Sequence, residues 1–306
     1  MYDIVCIGNP VYDIIKTPYV ETKERELSGC STNAAVFAAA LGAKVLLIGA
    51  IGDDYRTHFE KEMARRGVDT YLLPSKRTGG FDLFYFPNGD RRLRIIDVAD
   101  PIEDIPEKLL EAKLILLGPV IQEIKPPLIE KIRKSTDAII FADIQGFIRF
   151  TDGEKVWRKP NPEFNRYLTY IDFLKPNEFE AEVFTGIYPR GREKEALEKM
   201  REMGVKNPII TLAEAGSIAL DEDGNFYKIS AYKTEAKDPT GAGDSYAGSF
   251  AFYYLKTKDL FEAAKFASAA ASLMVEEVPS RVEVKYEEVL RRMKEIEDAC
   301  KMERLL

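Results

Sequence analysis

The chain predicts an α/β fold, one domain of alternating strands and helices with a small β insertion. Three observations predict it. Short apolar runs that suit strands buried on both faces alternate with longer stretches of helical period. The alternation breaks at about 14–27 and 81–96, where β-prone residues read as an excursion from the main sheet. No internal repeat, low-complexity run or interdomain linker interrupts the 306 residues, so 1–306 reads as a single domain carrying those two segments.

Residues 3–7 form an apolar run closed by Gly8, Asn9 and Pro10, a buried strand with its loop, and Asp13 lies just beyond. Ligands of open α/β sheets bind at such strand ends, so Asp13 is a candidate for holding substrate hydroxyls as well as an ordinary turn aspartate. From Ser28, SGCSTNAAVFAAALGA puts small residues at the start of an Ala-rich helix that Gly42 ends. Asn33 in its first turn can offer its amide to a hydroxyl, or cap the helix as Ser31 or Thr32 would. Strand 44–49, helix 55–66 and strand 68–73 follow, and His58, the lone histidine, reads as a packing or surface residue. Residues 81–96 form a hairpin around Asn88 and Gly89, because a type I′ turn needs positive φ at both central positions. Arg91, Arg92 and Arg94 there protect an edge strand or face an anion.

Helix 105–112, strand 113–117, helix 127–134 and strand 138–142 restore the alternation. Residues 143–150 (DIQGFIRF) then form a polar loop from which Gln145 and Arg149 can reach a polyol or carboxylate. After strand 171–175, Asn177 and Glu180 have the spacing of a capping box, and equally of a pair that holds Mg²⁺ through water. Helix 193–203, strand 208–212 and a hairpin at 217–232 lead to helices 245–255, 260–275 and 286–302, the last amphipathic and packed outside.

The stretch with the most chemistry is 238–250, DPTGAGDSYAGSF. A Gly-rich turn opening into an apolar helix lets successive N–H groups and the helix's positive end converge on one anion. Asp244 in the first turn would repel a bound phosphate, so its presence suits proton abstraction from an attacking hydroxyl. An acidic residue complementing the helix dipole is the plainer reading.

Composition bounds the partners. Lys and Arg number 44 against 51 Asp and Glu, a formal charge of −7, which argues against nucleic acid or an anionic membrane as the main partner. Cys6, Cys30 and Cys300 are odd in number and have no metal-type spacing, so a reduced, cytoplasmic setting is expected. No signal peptide is expected, and no apolar run reaches membrane length. Gln122 and Gln145 are the only glutamines among abundant Glu, Lys and Arg, a bias that points to a thermophilic source.

GCSTNAAVFAAALGA, KPNEFEAEVFTG and DPTGAGDSYAGSF, in this order, resemble the ribokinase-like (PfkB) family of sugar and nucleoside kinases along essentially the full length. The resemblance implies a three-layer α/β/α sandwich with a mostly parallel sheet of about nine strands and a small β-sheet lid. It implies that Asp244 is the catalytic base and that the amides of Gly241, Ala242 and Gly243 form the anion hole. Asp13, Gly29 and Asn33 match substrate-gripping positions, and Asn177 and Glu180 match the pair that organises Mg²⁺ and the nucleotide phosphates. Thr211, Gly216 and Gly243 fall on the nucleotide side. ADIQGFIR at 142–149, with the lid segment at 88–102, is similar to archaeal myo-inositol 3-kinases and thermophilic relatives, which implies acceptor contacts for Gln145 and Arg149. Three departures stand out: Cys30 replaces a usual glycine, TLAEAG at 211–216 lacks one glycine, and VEEVPSR at 275–281 replaces a Gly-rich segment. They bear on the adenine contacts and on any activating potassium site.

The expected activity is therefore ATP- and Mg²⁺-dependent phosphorylation of a small polyol or sugar, myo-inositol first, with a possible monovalent cation and a possible homodimer through the lid. A nucleoside or other sugar kinase is the alternative, with Phe81, Phe84, Tyr85 or Phe86 as a platform for a base. A non-catalytic ligand sensor is a second. A dinucleotide-dependent oxidoreductase is disfavoured because GNP, not Gly-x-Gly-x-x-Gly, follows the first strand.

Overall fold

The computed structural model describes residues 1–16, 25–85, 91–277 and 282–304. Its strands are β1 (Tyr2–Ile7), β2 (Val11–Lys16), β3 (Glu26–Ser28), β4 (Val45–Gly52), β5 (Val68–Ser75), β6 (Gly79–Tyr85), β7 (Arg91–Asp97), β8 (Ala112–Leu117), β9 (Ile139–Asp143), β10 (Arg149–Asp152), β11 (Lys155–Arg158), β12 (Phe173–Lys175), β13 (Asn207–Thr211), β14 (Ser217–Leu220), β15 (Asn225–Ile229) and β16 (Lys301–Arg304). The helices are α1 (Cys30–Ala40), α2 (Asp53–Arg65), α3 (Pro126–Ser135), α4 (Gln145–Ile148), α5 (Pro162–Asn165), α6 (Glu178–Thr185), α7 (Glu193–Glu202), α8 (Ala242–Thr257), α9 (Leu260–Met274) and α10 (Tyr286–Ile296).

Ten strands form the main sheet in the order β16-β15-β14-β13-β12-β9-β8-β1-β4-β5. It is parallel from β13 through β12, β9, β8, β1 and β4 to β5, and antiparallel from β13 out to β16. Strand alternation explains the layers. On β1, Ile4 and Cys6 enter one core with Phe141, Phe173 and residues of α1, α2, α8, α9 and α10. Val5 and Ile7 enter the other, with α3, α6 and α7. A three-layer α/β/α sandwich results. The second sheet, β3-β2-β6-β7, is the small lid. Residues 17–24 and 86–90, including the expected Asn88-Gly89 turn, lie outside the described residues. Arg94 pairs with Asp82 across β6 and β7, at 3.0 Å, an edge-strand ion pair.

Three expectations are corrected. The helix expected at 105–112 is only a 3₁₀ turn at Glu107–Leu110, bounded by Pro106 before it and by Ala112, which already belongs to β8. The last helix stops at Ile296, and Lys301–Arg304 instead extends the sheet beside β15, whose edge would otherwise leave its amides unpaired. That strand accounts for the tenth position in the sheet. Residues 143–150 are not an open loop: past the end of β9 they form α4 and the start of the β10–β11 hairpin, whose two-residue Gly153-Glu154 turn, with Gly153 at φ 59°, is the missed signal. The hairpin meets the lid where Ile95 N–H donates to Glu154 O at 3.0 Å.

α10 is held to α9 by charge as well as by Val289 and Met293, which share a core with the buried face of α9. Arg292 donates to Ser272 Oγ, Glu276 and Glu288. Arg291 and Arg292 hold the Glu288 carboxyl down at about 2. Burial alone would raise Glu276, but Arg292 and Thr234 outweigh it and hold it low. A depressed carboxyl stabilises the fold above its ordinary pKa, and that contribution is lost as pH falls through the folded value. The thermal midpoint is expected to drop between pH 4.5 and about 2, and to drop less in an Arg292→Met variant, as calorimetry across that window would show.

Candidate active site

The amino end of α8 meets the amino end of α1 above the carboxyl ends of β9 and β12. Gly248 sets how closely the two helices pack, since a Cβ there would stand 2.2 Å from Ala34 O. Gly241 caps α8 at φ 77°, a left-handed conformation that disfavours other residues. This packing brings together Asn33 and Asp244, 211 positions apart. The Asn33 side-chain amide donates to Asp244 Oδ2 at 2.9 Å, and Asn33 N–H donates to Gly29 O at 2.8 Å. Asp244 is half-buried, at the mouth of the Gly241–Ala242–Gly243 turn.

Beneath the turn lies a charge cluster that the sequence reading did not single out. Lys175 Nζ pairs with Asp143 Oδ2 at 2.7 Å, both side chains 3% exposed. Cys30 Sγ and carboxylate oxygens of Asp143 and Asp244 lie within 4.8 Å of one another. Burial pushes the Cys30 thiol well up, and Asp143 and Asp244 push it further, so it stays protonated. Burial works against the Lys175 ammonium, but Asp143 and Glu180 outweigh it and the net shift is upward. With an ammonium already on Asp143 and a neutral thiol, the trio suits an ion pair better than a metal.

The NEFE motif forms the capping box that its spacing predicts. Asn177 Oδ1 accepts from Glu180 N–H and Glu180 Oε2 accepts from Asn177 N–H, each at 2.9 Å, a complete capping box. Glu180 Oε1 is buried and has no hydrogen-bond partner among the described residues. Thr211 bridges to Asn177. In the following turn Ala213 takes φ 50°, so the missing glycine's left-handed position is retained by alanine. Gly216 is buried, and a Cβ there would lie 2.0 Å from Ile229 O. Its freedom from a side chain serves packing of β15.

Nearer the lid, Asp13 lies buried on β2, in register with Glu26 and Phe81. Gly29 abuts the loop entering β2, its would-be Cβ 3.1 Å from Asn9 O. Arg149 is buried and donates to Gln145 Oε1 at 2.6 Å, while Gln145 N–H donates to Asp143 Oδ1 at 3.0 Å. The Gln145–Arg149 pair is thus tied to the charge cluster. Phe81 is buried and Phe84 is 37% exposed; the side chains of Tyr85 and Phe86 lie outside the described residues.

Glu123 is a further residue the sequence reading missed. It is 3% exposed and accepts N–H bonds from Asn9 at 3.1 Å and from Val120 and Ile121 at 2.7 Å, tying the loops after β1 and β8. Glu123→Ala would leave those amides unsatisfied and is expected to cost on the order of 3 kcal/mol, read from denaturant unfolding. Before the turn, Asp238 is fully buried. Its Oδ1 accepts from Thr240 N–H at 2.9 Å, its Oδ2 has no partner among the described residues, and burial raises its pKa.

Known proteins resemble this chain in sequence and in fold. The family model for pfkB family carbohydrate kinases matches residues 1–283. A deoxyribokinase of Salmonella typhi is 28% identical over 299 residues, covering 89% of this chain and 92% of its own. A 5-dehydro-2-deoxygluconokinase of Bacillus subtilis is 27% identical over 298 residues, covering 90% of each. A solved pyrophosphate-dependent kinase in the ribokinase family, complexed with a pyrophosphate analogue and myo-inositol, superimposes with a TM-score of 0.78. It is 26% identical and covers 94% of this chain and 99% of its own. No helix among the described residues is long and apolar enough to cross a membrane.

Proposed function

The chain belongs to the pfkB family of carbohydrate kinases, and from that premise we propose that it moves the γ-phosphoryl group of ATP to a hydroxyl of a small polyol, myo-inositol first. The observation that carries the reading is the Asn33–Asp244 hydrogen bond at the mouth of a glycine turn that opens a helix. Asp244 takes the acceptor's proton, held in place by the Asn33 amide, whose other N–H remains for the substrate. The amides of Gly241, Ala242 and Gly243, with the positive end of α8, receive the charge that develops on the transferring group. Asp13 and Gly29 grip acceptor hydroxyls, with Gln145 and Arg149 completing that side, and the lid closes over them. Thr211, Gly216, Asn177 and Gly243 border the nucleotide.

Bound Mg²⁺ supplies positive charge to the donor phosphates, and Asn177 and Glu180 would hold it, mostly through water. The unpartnered Glu180 Oε1 fits that task. The unpartnered Asp238 Oδ2 fits a monovalent cation in the same way. One kinase domain spans 1–306 with the lid inserted, in a cytoplasmic protein that pairs with a second copy through lid edges. Support for the acceptor comes from the myo-inositol held by the solved relative; that relative's pyrophosphate dependence makes the donor an explicit arm of the test.

The test is mass-spectrometric detection of phosphorylated product across inositols, keto-sugar acids, pentoses, hexoses and nucleosides, each with ATP and with pyrophosphate. Product from an inositol with ATP supports the reading. Product from a nucleoside alone overturns the acceptor, product with pyrophosphate alone overturns the donor, and none from any pair leaves a ligand sensor.

A further inference from the structure

The turn that receives phosphate in the proposed reaction has a buried ammonium directly under it. Lys175 ends β12 with its side chain 3% exposed, and its Nζ sits 3.3 Å from the point where a side chain on Gly243 would begin. A glycine at 243 therefore leaves room for the ammonium against the underside of the turn. The local charges explain why one is needed. Asp143 and Asp244 carry oxygens within 4.8 Å of Cys30 Sγ and of each other, at the place where a phosphoryl group must bring further negative charge. Like charges this close in a shielded site repel strongly unless a fixed cation stands among them. Among the described residues, Lys175 is the cation paired with Asp143, at 2.7 Å.

We infer that Lys175 is a positioning residue of the transfer site, the fixed counter-charge that lets an anion settle on the Gly241–Gly243 turn beside Asp244. It acts through the turn and through Asp143 and does not touch the acceptor. The inference rests on the kinase reading, but its binding consequence can be measured without turnover.

Lys175→Met keeps the length and removes the charge, yet leaves Asp143 buried and unpaired. The double variant Asp143→Asn/Lys175→Met removes both charges, so its fold is expected to be retained. Calorimetry with inorganic pyrophosphate as the probe gives affinity, and steady-state kinetics on the acceptor found by the screen gives kcat and KM. Expected are a loss of about 10-fold or more in pyrophosphate affinity and roughly 10- to 100-fold in kcat in both variants, with acceptor KM within about 3-fold. Asp143→Asn alone, which keeps the ammonium, should retain pyrophosphate affinity. The inference is overturned if the folded double variant binds pyrophosphate as the wild type does, if the wild type does not bind it, or if neither variant folds. A wild type that binds pyrophosphate but phosphorylates no acceptor removes the kinase reading and leaves the binding arm to decide this one.

Discussion

Asp244→Asn is expected to lower kcat by roughly 10² to 10⁴, about 2.7 to 5.4 kcal/mol of transition-state stabilisation, with nucleotide affinity little changed. The substitution isolates proton transfer from structure. Asparagine has nearly the same volume, and its carbonyl oxygen can still accept the bond that Asn33 donates to Asp244 Oδ2 at 2.9 Å. The packing of α1 on α8 therefore persists, and the thermal midpoint should stay near that of the wild type. What is lost is a group able to take a proton at the mouth of the turn. Steady-state kinetics beside a melting curve checks both halves. Full activity in the variant would remove Asp244 from the chemistry.

Gly241→Ala is the second large effect, expected to reduce kcat by roughly 10² to 10³, the scale of losing one preorganised donor. At φ 77° an alanine is strained by about 1 to 2 kcal/mol. Its Cβ would also stand 2.3 Å from Met274 Cε and 2.9 Å from Asn33 Nδ2. The methionine end can swing away, but the Asn33 amide cannot move without leaving Asp244. The turn's amides and the base's orientation are thus disturbed together. The prediction is a kcat loss that exceeds any change in acceptor KM, with only a modest fall in thermal midpoint. An unchanged kcat would mean the turn does not receive the transferring group.

The fold was legible where patterning is local. The apolar strand runs, the Ala-rich start of α1 and the Gly-rich start of α8 each carry their signal within about a dozen residues, and the NEFE spacing predicted a capping box that forms as expected. The elements that misled depend on what lies beside them. β16 pairs because β15 offers an edge, and the charged composition of 297–304 gives no hint of it. The β10–β11 hairpin stays hidden when 143–150 is taken only as a strand end, although glycine in the Gly153-Glu154 turn marks it.

The site divides in the same way. Asp244, its turn, Asn33 and the Asn177–Glu180 pair stood out by residue type and position. Their mutual geometry did not, because the Asn33–Asp244 bond spans 211 positions and depends on the close packing at Gly248. Lys175 and Glu123 were missed for a physical reason: a lysine at the end of an apolar strand and a glutamate in a loop are ordinary until burial shows them to be paired or fully bonded.

The measurement that tests the central claim most directly is product formation by wild type and Asp244→Asn side by side, with myo-inositol and ATP, followed by mass spectrometry. The account predicts an inositol monophosphate from the wild type and roughly 10²-fold or more below that rate from the variant. Equal product from both, or none from the wild type with any acceptor and either donor, would contradict it.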